Sequence, residues 1–338
     1  MTIFILIDWF HPAYKAGGPV QSIANLVHQF YEGVQYKIFC SNKDLDEKDL
    51  PVPVDQWVKY NQVTDVWYSK KKTLYLNELK KQLKTNPDAV LFINGIYSWN
   101  FNVLPIFSKA GRKIVSARGM LHAGALSQKS LKKKIYLTLW KMLGFQHKVE
   151  FHASTVTEKE IIQKVFGRKT KVHIASNFPR IFNKQQVLEK RGGNLHLISI
   201  GIISPMKNHL LVLQALQACE AKITYHIYGS IKDDKYWLEC QKVIRTIPEN
   251  ISVQYHGDVQ PDKVEDVLTE SHVFILPSKS ENFGHAIFEA LSAGKPVITS
   301  MATPWNGLKE KCAGINVLPD EPREIAAAIS FFADMGQQ

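Results

Sequence analysis

The feature that most constrains this chain is its rhythm: short apolar runs alternate with segments of helical periodicity along almost its whole length. Strands are expected at 3–7, 36–40, 90–93, 113–116, 149–152 and 171–174, and again at 195–200, 224–228, 252–255, 273–276, 297–299 and 315–317. Helical patterns fall between them, among others at 19–30, 209–218, 236–244, 286–293 and 323–333. Strands that are apolar throughout are buried on both faces, which implies parallel sheets built from βα units. The rhythm pauses at 179–194, a polar stretch carrying Lys190-Arg191-Gly192-Gly193. For 338 residues this predicts two consecutive α/β domains, 1–180 and 193–338. Ligands of open α/β sheets sit at the carboxyl ends of the strands, so the loops after strands and the cleft between two such domains are where a site is expected.

Charge is distributed unevenly. The chain carries a formal +11, but residues 1–180 hold 27 Lys/Arg against 13 Asp/Glu, whereas 181–338 hold 15 against 18. The excess is therefore one basic surface on the first domain, which argues against a nucleic-acid coat over the whole protein. Cys40, Cys219, Cys240 and Cys312 are widely separated, so neither a zinc site nor a disulfide framework is indicated. Residues 1–10 lack a signal peptide's basic start and cleavage site, and no run of about 18 apolar residues suggests a membrane span. The expectation is a cytoplasmic location, with peripheral attachment to the inner face of a membrane as an option.

Three strand-end loops carry the chemistry. The first contains Gly17-Gly18-Pro19 at a helix start, where backbone N–H groups can approach a phosphate; an ordinary helix-entry turn with Pro19 at the first helical position is the alternative. The second runs from Gly201 to Asn208 and places Lys207 near a helix start. A lysine there opposes the helix dipole, which a bound anion such as pyrophosphate would explain; a solvated surface lysine is the alternative. The third is the run at 280–298, SENFGHAIFEALSAGKPVI. Glu281 lies in a loop, Asn282 or Phe283 is expected to cap a helix opening near Gly284, and Glu289 sits on that helix among apolar neighbours. Two carboxylates in this setting suit recognition of sugar hydroxyls.

This run resembles the E-x7-E element of family 4 glycosyltransferases of the GT-B fold, here Glu281 to Glu289 followed by Gly294-Lys295-Pro296-Val297. The Gly201–Lys207 loop, Pro277-Ser278, Gly17-Gly18, Ser154 with Glu158, and Asn177 are similar to further family features, so the resemblance covers nearly the whole chain. It implies two Rossmann-like domains facing a central cleft, the acceptor on the first and the nucleotide sugar on the second. It implies retaining hexosyl transfer from a nucleotide-diphosphate sugar to a glycan or lipid-linked acceptor in surface polysaccharide synthesis, without metal or other cofactor. On that pattern Glu289 holds ribose hydroxyls and Glu281 sugar hydroxyls. Lys207 neutralises pyrophosphate, Phe283 and Gly284 contact phosphate or sugar through their backbone, and Gly17 and Gly18 close over the phosphates. The sequence departs from the pattern at Ile202, where the family often has arginine, and at Arg118, where many members have histidine. Arg118 is a candidate for donor phosphate or acceptor, with His122 second. The family also continues with one more helix beyond 324–333, which is not expected here.

On the acceptor side, Trp99 follows a strand and offers an aromatic face for a sugar ring, or a buried core residue. Residues 128–145 read as a basic amphipathic helix with Lys129, Lys132, Lys133, Lys134 and Lys141, suited to an anionic membrane or simply to a core-packed helix with a solvated basic face. A sugar-nucleotide epimerase of the same fold and, in a different class, a basic nucleic-acid-binding protein are the competing functions. No nucleic-acid motif accompanies the basic residues, so no nucleic-acid partner is expected.

Overall fold

The computed structural model describes residues 1–29, 32–71, 74–122, 126, 130–182 and 188–336. The chain divides into two compact units, Met1–Phe178 and Pro179–Gln338.

The first unit is built on an eight-stranded sheet. Its strands are β1 Thr2–Leu6, β2 Gln35–Ser41, β3 Trp57–Asn61, β4 Thr64–Ser69, β5 Val90–Asn94, β6 Arg112–Ser116, β7 Glu150–Ala153 and β8 Val172–Ile174. The order is β3-β4-β2-β1-β5-β6-β7-β8, parallel except for β3, which runs antiparallel to β4. Residues alternate between the faces, as the pleat requires. Phe4 and Leu6 pack with Tyr75 and Leu79 of the helix Tyr75–Thr85, whereas Ile5 and Ile7 pack with Ile23 and Val27 of the helix Gly18–Val27. The β3–β4 hairpin departs from the βα rhythm and was not expected. Its Trp57, Tyr60, Trp67 and Tyr68 carry the aromatic enrichment of strands, but Gln62-Val63 between them is not a strong turn signal.

The second unit has a six-stranded sheet with every pairing parallel. Its strands are β9 Asn194–Ile200, β10 Lys222–Tyr228, β11 Ile251–Tyr255, β12 Val273–Leu276, β13 Val297–Ser300 and β14 Gly314–Val317. All residues of β12 and β13 are buried, which is why both read as unbroken apolar or small runs. Val273 and Ile275 join one core with the helices His209–Leu216, Asp234–Ile244 and Pro322–Asp334; Phe274 and Leu276 join another with Val264–Thr269 and His285–Ser292. The order β11-β10-β9-β12-β13-β14 is that of a doubly wound nucleotide-binding sheet, and its reversal point lies between β9 and β12.

Trp140, on the helix Ser130–Met142, is the largest fully buried side chain of the first unit, set against Tyr136, Phe145 and Phe166. Trp140→Ala is expected to cost about 3–5 kcal/mol in urea unfolding of this unit, and a loss below about 1 kcal/mol would contradict that packing.

Candidate functional site

At the reversal point two loops leave adjacent strands. The loop after β9 meets the loop after β12 through the Lys279 N–H, which donates to the Met206 carbonyl at 2.9 Å. Asn208 fastens the first loop more widely. It adopts the left-handed conformation (φ 64°), which asparagine tolerates, and its amide donates to the carbonyls of Pro277 and Pro319. Close approach of strand ends is possible because Gly229, at φ 142°, lies against the Gly201 carbonyl; a Cβ there would sit 2.0 Å from that oxygen.

This scaffold brings Lys207 and Glu281 together. The ammonium of Lys207 donates to Glu281 Oε1 at 2.5 Å, and the Ser278 hydroxyl donates to the same oxygen at 2.7 Å. Both side chains are largely covered, at 23% and 10% exposure, so the pair is only weakly screened. The charge of Lys207 is therefore balanced by a carboxylate, although it lies at a helix start. His209, the first residue of that helix, is buried and held neutral: burial first and the Lys207 charge second push it down to about 3.

Glu289 behaves differently from Glu281. It lies on the helix His285–Ser292 and is buried, which pushes its carboxyl up to about 7; the Arg180 charge acts in the opposite direction. Among the described residues no hydrogen bond reaches its carboxylate. Arg180 is itself tethered to the Pro261 carbonyl and lies over the Phe182 ring. The helix is not capped by Asn282 or Phe283 as expected. Gly284 takes the N-cap position at φ 77° with no side-chain cap, because the chain must turn through the left-handed region there. Trp305 closes on this turn: its indole N–H donates to the Phe283 carbonyl at 2.5 Å, and a Cβ on Gly284 would meet the indole at 3.2 Å. The Phe283 carbonyl is thus already engaged. Lys295 has a structural part, donating to the carbonyl of Ser271 at 2.9 Å.

In the first unit, Gly17 caps the helix Gly18–Val27 at φ 71°. Asp8, after β1, accepts from the Ser98 hydroxyl at 2.6 Å, joining the loops after β1 and β5. Trp99 follows and is 60% exposed, so it is not a core residue. Arg118 follows β6 in a left-handed conformation (φ 51°). Its guanidinium donates to Asn94 Oδ1 at 2.8 and 3.1 Å and to Asn177 Oδ1 at 2.5 Å. Among the described residues no carboxylate makes a salt bridge to it; burial lowers it to about 10, and the charge of nearby Glu158 acts in the opposite direction. The turn is held by buried Glu158, which accepts from the Gly119 and Ser154 N–H groups. His152 donates through Nε2 to the Ala175 carbonyl and faces the Ser116 hydroxyl through Nδ1; burial and Arg118 push it down to about 4, so it is neutral. His122 is partly buried in the turn after Gly119. Lys129 lies outside the described residues.

Sequence reasoning did not single out Asn208, Gly229, Trp305 or Arg180. Gly229 alone had a usable signal, a glycine directly after an apolar strand.

Comparisons with known proteins fit this geometry. Residues 180–335 match a family model described as glycosyl transferases group 1. The chain is 32% identical to the O-antigen chain mannosyltransferase B of Escherichia coli over 114 residues, 32% of this chain and 29% of that protein. It therefore spans less than a third of that relative's length. Among solved structures, HepE of Anabaena in complex with UDP and glucose aligns with a TM-score of 0.66 at 16% identity, over 98% of this chain and 89% of that one. WaaG, a glycosyltransferase involved in lipopolysaccharide biosynthesis, aligns at 0.66 with 13% identity, over 99% and 91%. These likenesses establish the fold as GT-B.

Because Glu289 binds its proton more tightly in the folded chain than at the ordinary 4.5, its contribution to stability is present at low pH and falls as pH rises from about 4.5 to about 7. Glu289→Gln removes this dependence, so the variant gains on the order of 2–3 kcal/mol relative to wild type between those limits. Parallel stability–pH curves for the two proteins would refute the buried carboxyl.

Proposed function

We propose that this chain is a hexosyltransferase that takes its sugar from a nucleotide-diphosphate donor bound at the carboxyl ends of β9 and β12. The observation that carries the reading is the Lys207–Glu281 contact at the reversal point of a doubly wound sheet. The family match over residues 180–335 and the UDP and glucose in the HepE complex support it.

The two charges hold each other. An arriving diphosphate offers Lys207 a stronger partner, with the helix start at His209 adding its dipole. Glu281 is then released to accept from hydroxyls of the donor sugar. Glu289 accepts from ribose hydroxyls, which supply hydrogen bonds to a buried carboxylate that receives none among the described residues. As the glycosidic bond breaks, charge develops on the leaving diphosphate, and Lys207 stabilises it from a fixed position. The finer reading is transfer with retention at the anomeric carbon, implied by the resemblance of the Glu281–Glu289 run, to a glycan or lipid-linked acceptor of a surface polysaccharide, which the mannosyltransferase and WaaG likenesses support. Arg118, whose guanidinium keeps N–H groups beyond those given to Asn94 and Asn177, suits an anionic group of donor or acceptor. In this reading the chain is cytoplasmic and peripheral on the inner face of a membrane.

A thermal-shift screen with UDP, GDP, ADP and their sugars tests the donor, since a ligand of the folded state raises its melting temperature. At least one nucleotide series should stabilise the protein. Lys207→Ala should weaken that nucleotide about 10- to 100-fold, the worth of one charge-assisted hydrogen bond, and Glu289→Ala should abolish detectable binding. Wild-type affinity in both variants would remove the assignment.

A further inference from the structure

We propose that the helix Ser130–Met142 is an interfacial anchor that lays one apolar stripe into the surface of an anionic lipid bilayer. The helix presents two distinct apolar faces. One is the core face, where Leu137 and Trp140 are buried and the Tyr136 hydroxyl donates to the Ile96 carbonyl, fixing the helix rigidly on the sheet. The other is turned outward. Leu131, Ile135, Leu139 and Met142, continued by Leu143, are each 50–77% exposed. Their spacing of three and four residues puts them in one stripe opposite Leu137 and Trp140, about 18 Å long at 1.5 Å per residue.

A soluble surface does not ordinarily line up large aliphatic residues in this way, and so extended a patch marks a contact. The flanking charges identify the occupant. At about 100° per residue Lys134 and Lys141 run along one edge of the stripe and Lys132 lies at the other, all three exposed. Lys133 belongs to the core side, with its ammonium 5.3 Å from the Tyr97 ring centre. The helix contains no Asp or Glu, and it belongs to the half of the chain that carries the positive excess. An apolar stripe edged by lysines complements acyl chains bordered by anionic headgroups. A second copy of this chain would bring the same lysines face to face and be repelled. Among the described residues no helix is long and apolar enough to cross a membrane, so the contact is one lying on the surface. The surface is separate from the donor site, and the proposal stands independently of which nucleotide that site takes.

Flotation of the full chain with phosphatidylcholine vesicles, with and without phosphatidylglycerol, tests it. Wild type should float with the anionic vesicles and far less with phosphatidylcholine alone. Ile135→Asp with Leu139→Asp should weaken the anionic binding about tenfold or more, as should Lys132→Glu, Lys134→Glu and Lys141→Glu together. All five positions are exposed, so melting temperatures should stay at the wild-type value. Ile135→Ser with Leu139→Ser provides a milder pair should the aspartates perturb folding, with the same loss expected. Absence of wild-type flotation, or equal flotation of all variants, would overturn the proposal. So would light scattering that shows a dimer broken by the Ile135 and Leu139 substitutions, which would assign the stripe to a second copy.

Discussion

The parallel pairing of β9 with β12, which sets Leu197 beside Val273 and Ile198 beside Phe274, is the constraint on which the second unit depends. Chain segments laid down on either side of this pair wind in opposite senses, so the loops leaving its two carboxyl ends diverge and open a crevice. Everything placed in that crevice is held by backbone and small polar groups: Asn208 tied to Pro277 and Pro319, Gly229 against Gly201, and Lys279 bonded to Met206. The site is thus built on rigid strand ends rather than on a free loop.

The electrostatics follow from that rigidity. Lys207 and Glu281 are largely removed from water and compensate each other; deleting either would leave its partner partly buried and uncompensated, which is costly. Glu289 is buried, which pushes its carboxyl up to about 7, and among the described residues no hydrogen bond reaches it. A ligand that brings phosphate to Lys207 and hydroxyls to the glutamates resolves both conditions together. In the first unit Arg118 gives its hydrogen bonds to the amides of Asn94 and Asn177, with the Glu158 charge nearby.

Much of this was legible in the sequence. Parallel strands buried on both faces cannot hide their composition, so the runs of β1, β2 and β5–β14 stood out, and β12 followed by the Glu281–Glu289 run marked the candidate site. What stayed hidden depended on distance or direction. Lys207 and Glu281 are 74 residues apart, and no local pattern joins them. Gly284 rather than Asn282 or Phe283 caps its helix because the turn needs a positive φ, which side-chain preference does not reveal. The β3–β4 hairpin was missed because no helix separates β2, β3 and β4. The helix Ser130–Met142 was ambiguous between core and surface because it has leucines on both faces, and burial of Leu137 and Trp140 separates the two.

The central claim is that Lys207 exchanges Glu281 for a phosphate. A crystal structure of the chain with the nucleoside diphosphate that most raises its melting temperature tests this directly. The account predicts the Lys207 ammonium within hydrogen-bond distance of a phosphate oxygen and the Glu289 carboxylate within reach of the ribose hydroxyls. A bound nucleotide elsewhere, with the Lys207–Glu281 contact intact, would contradict it.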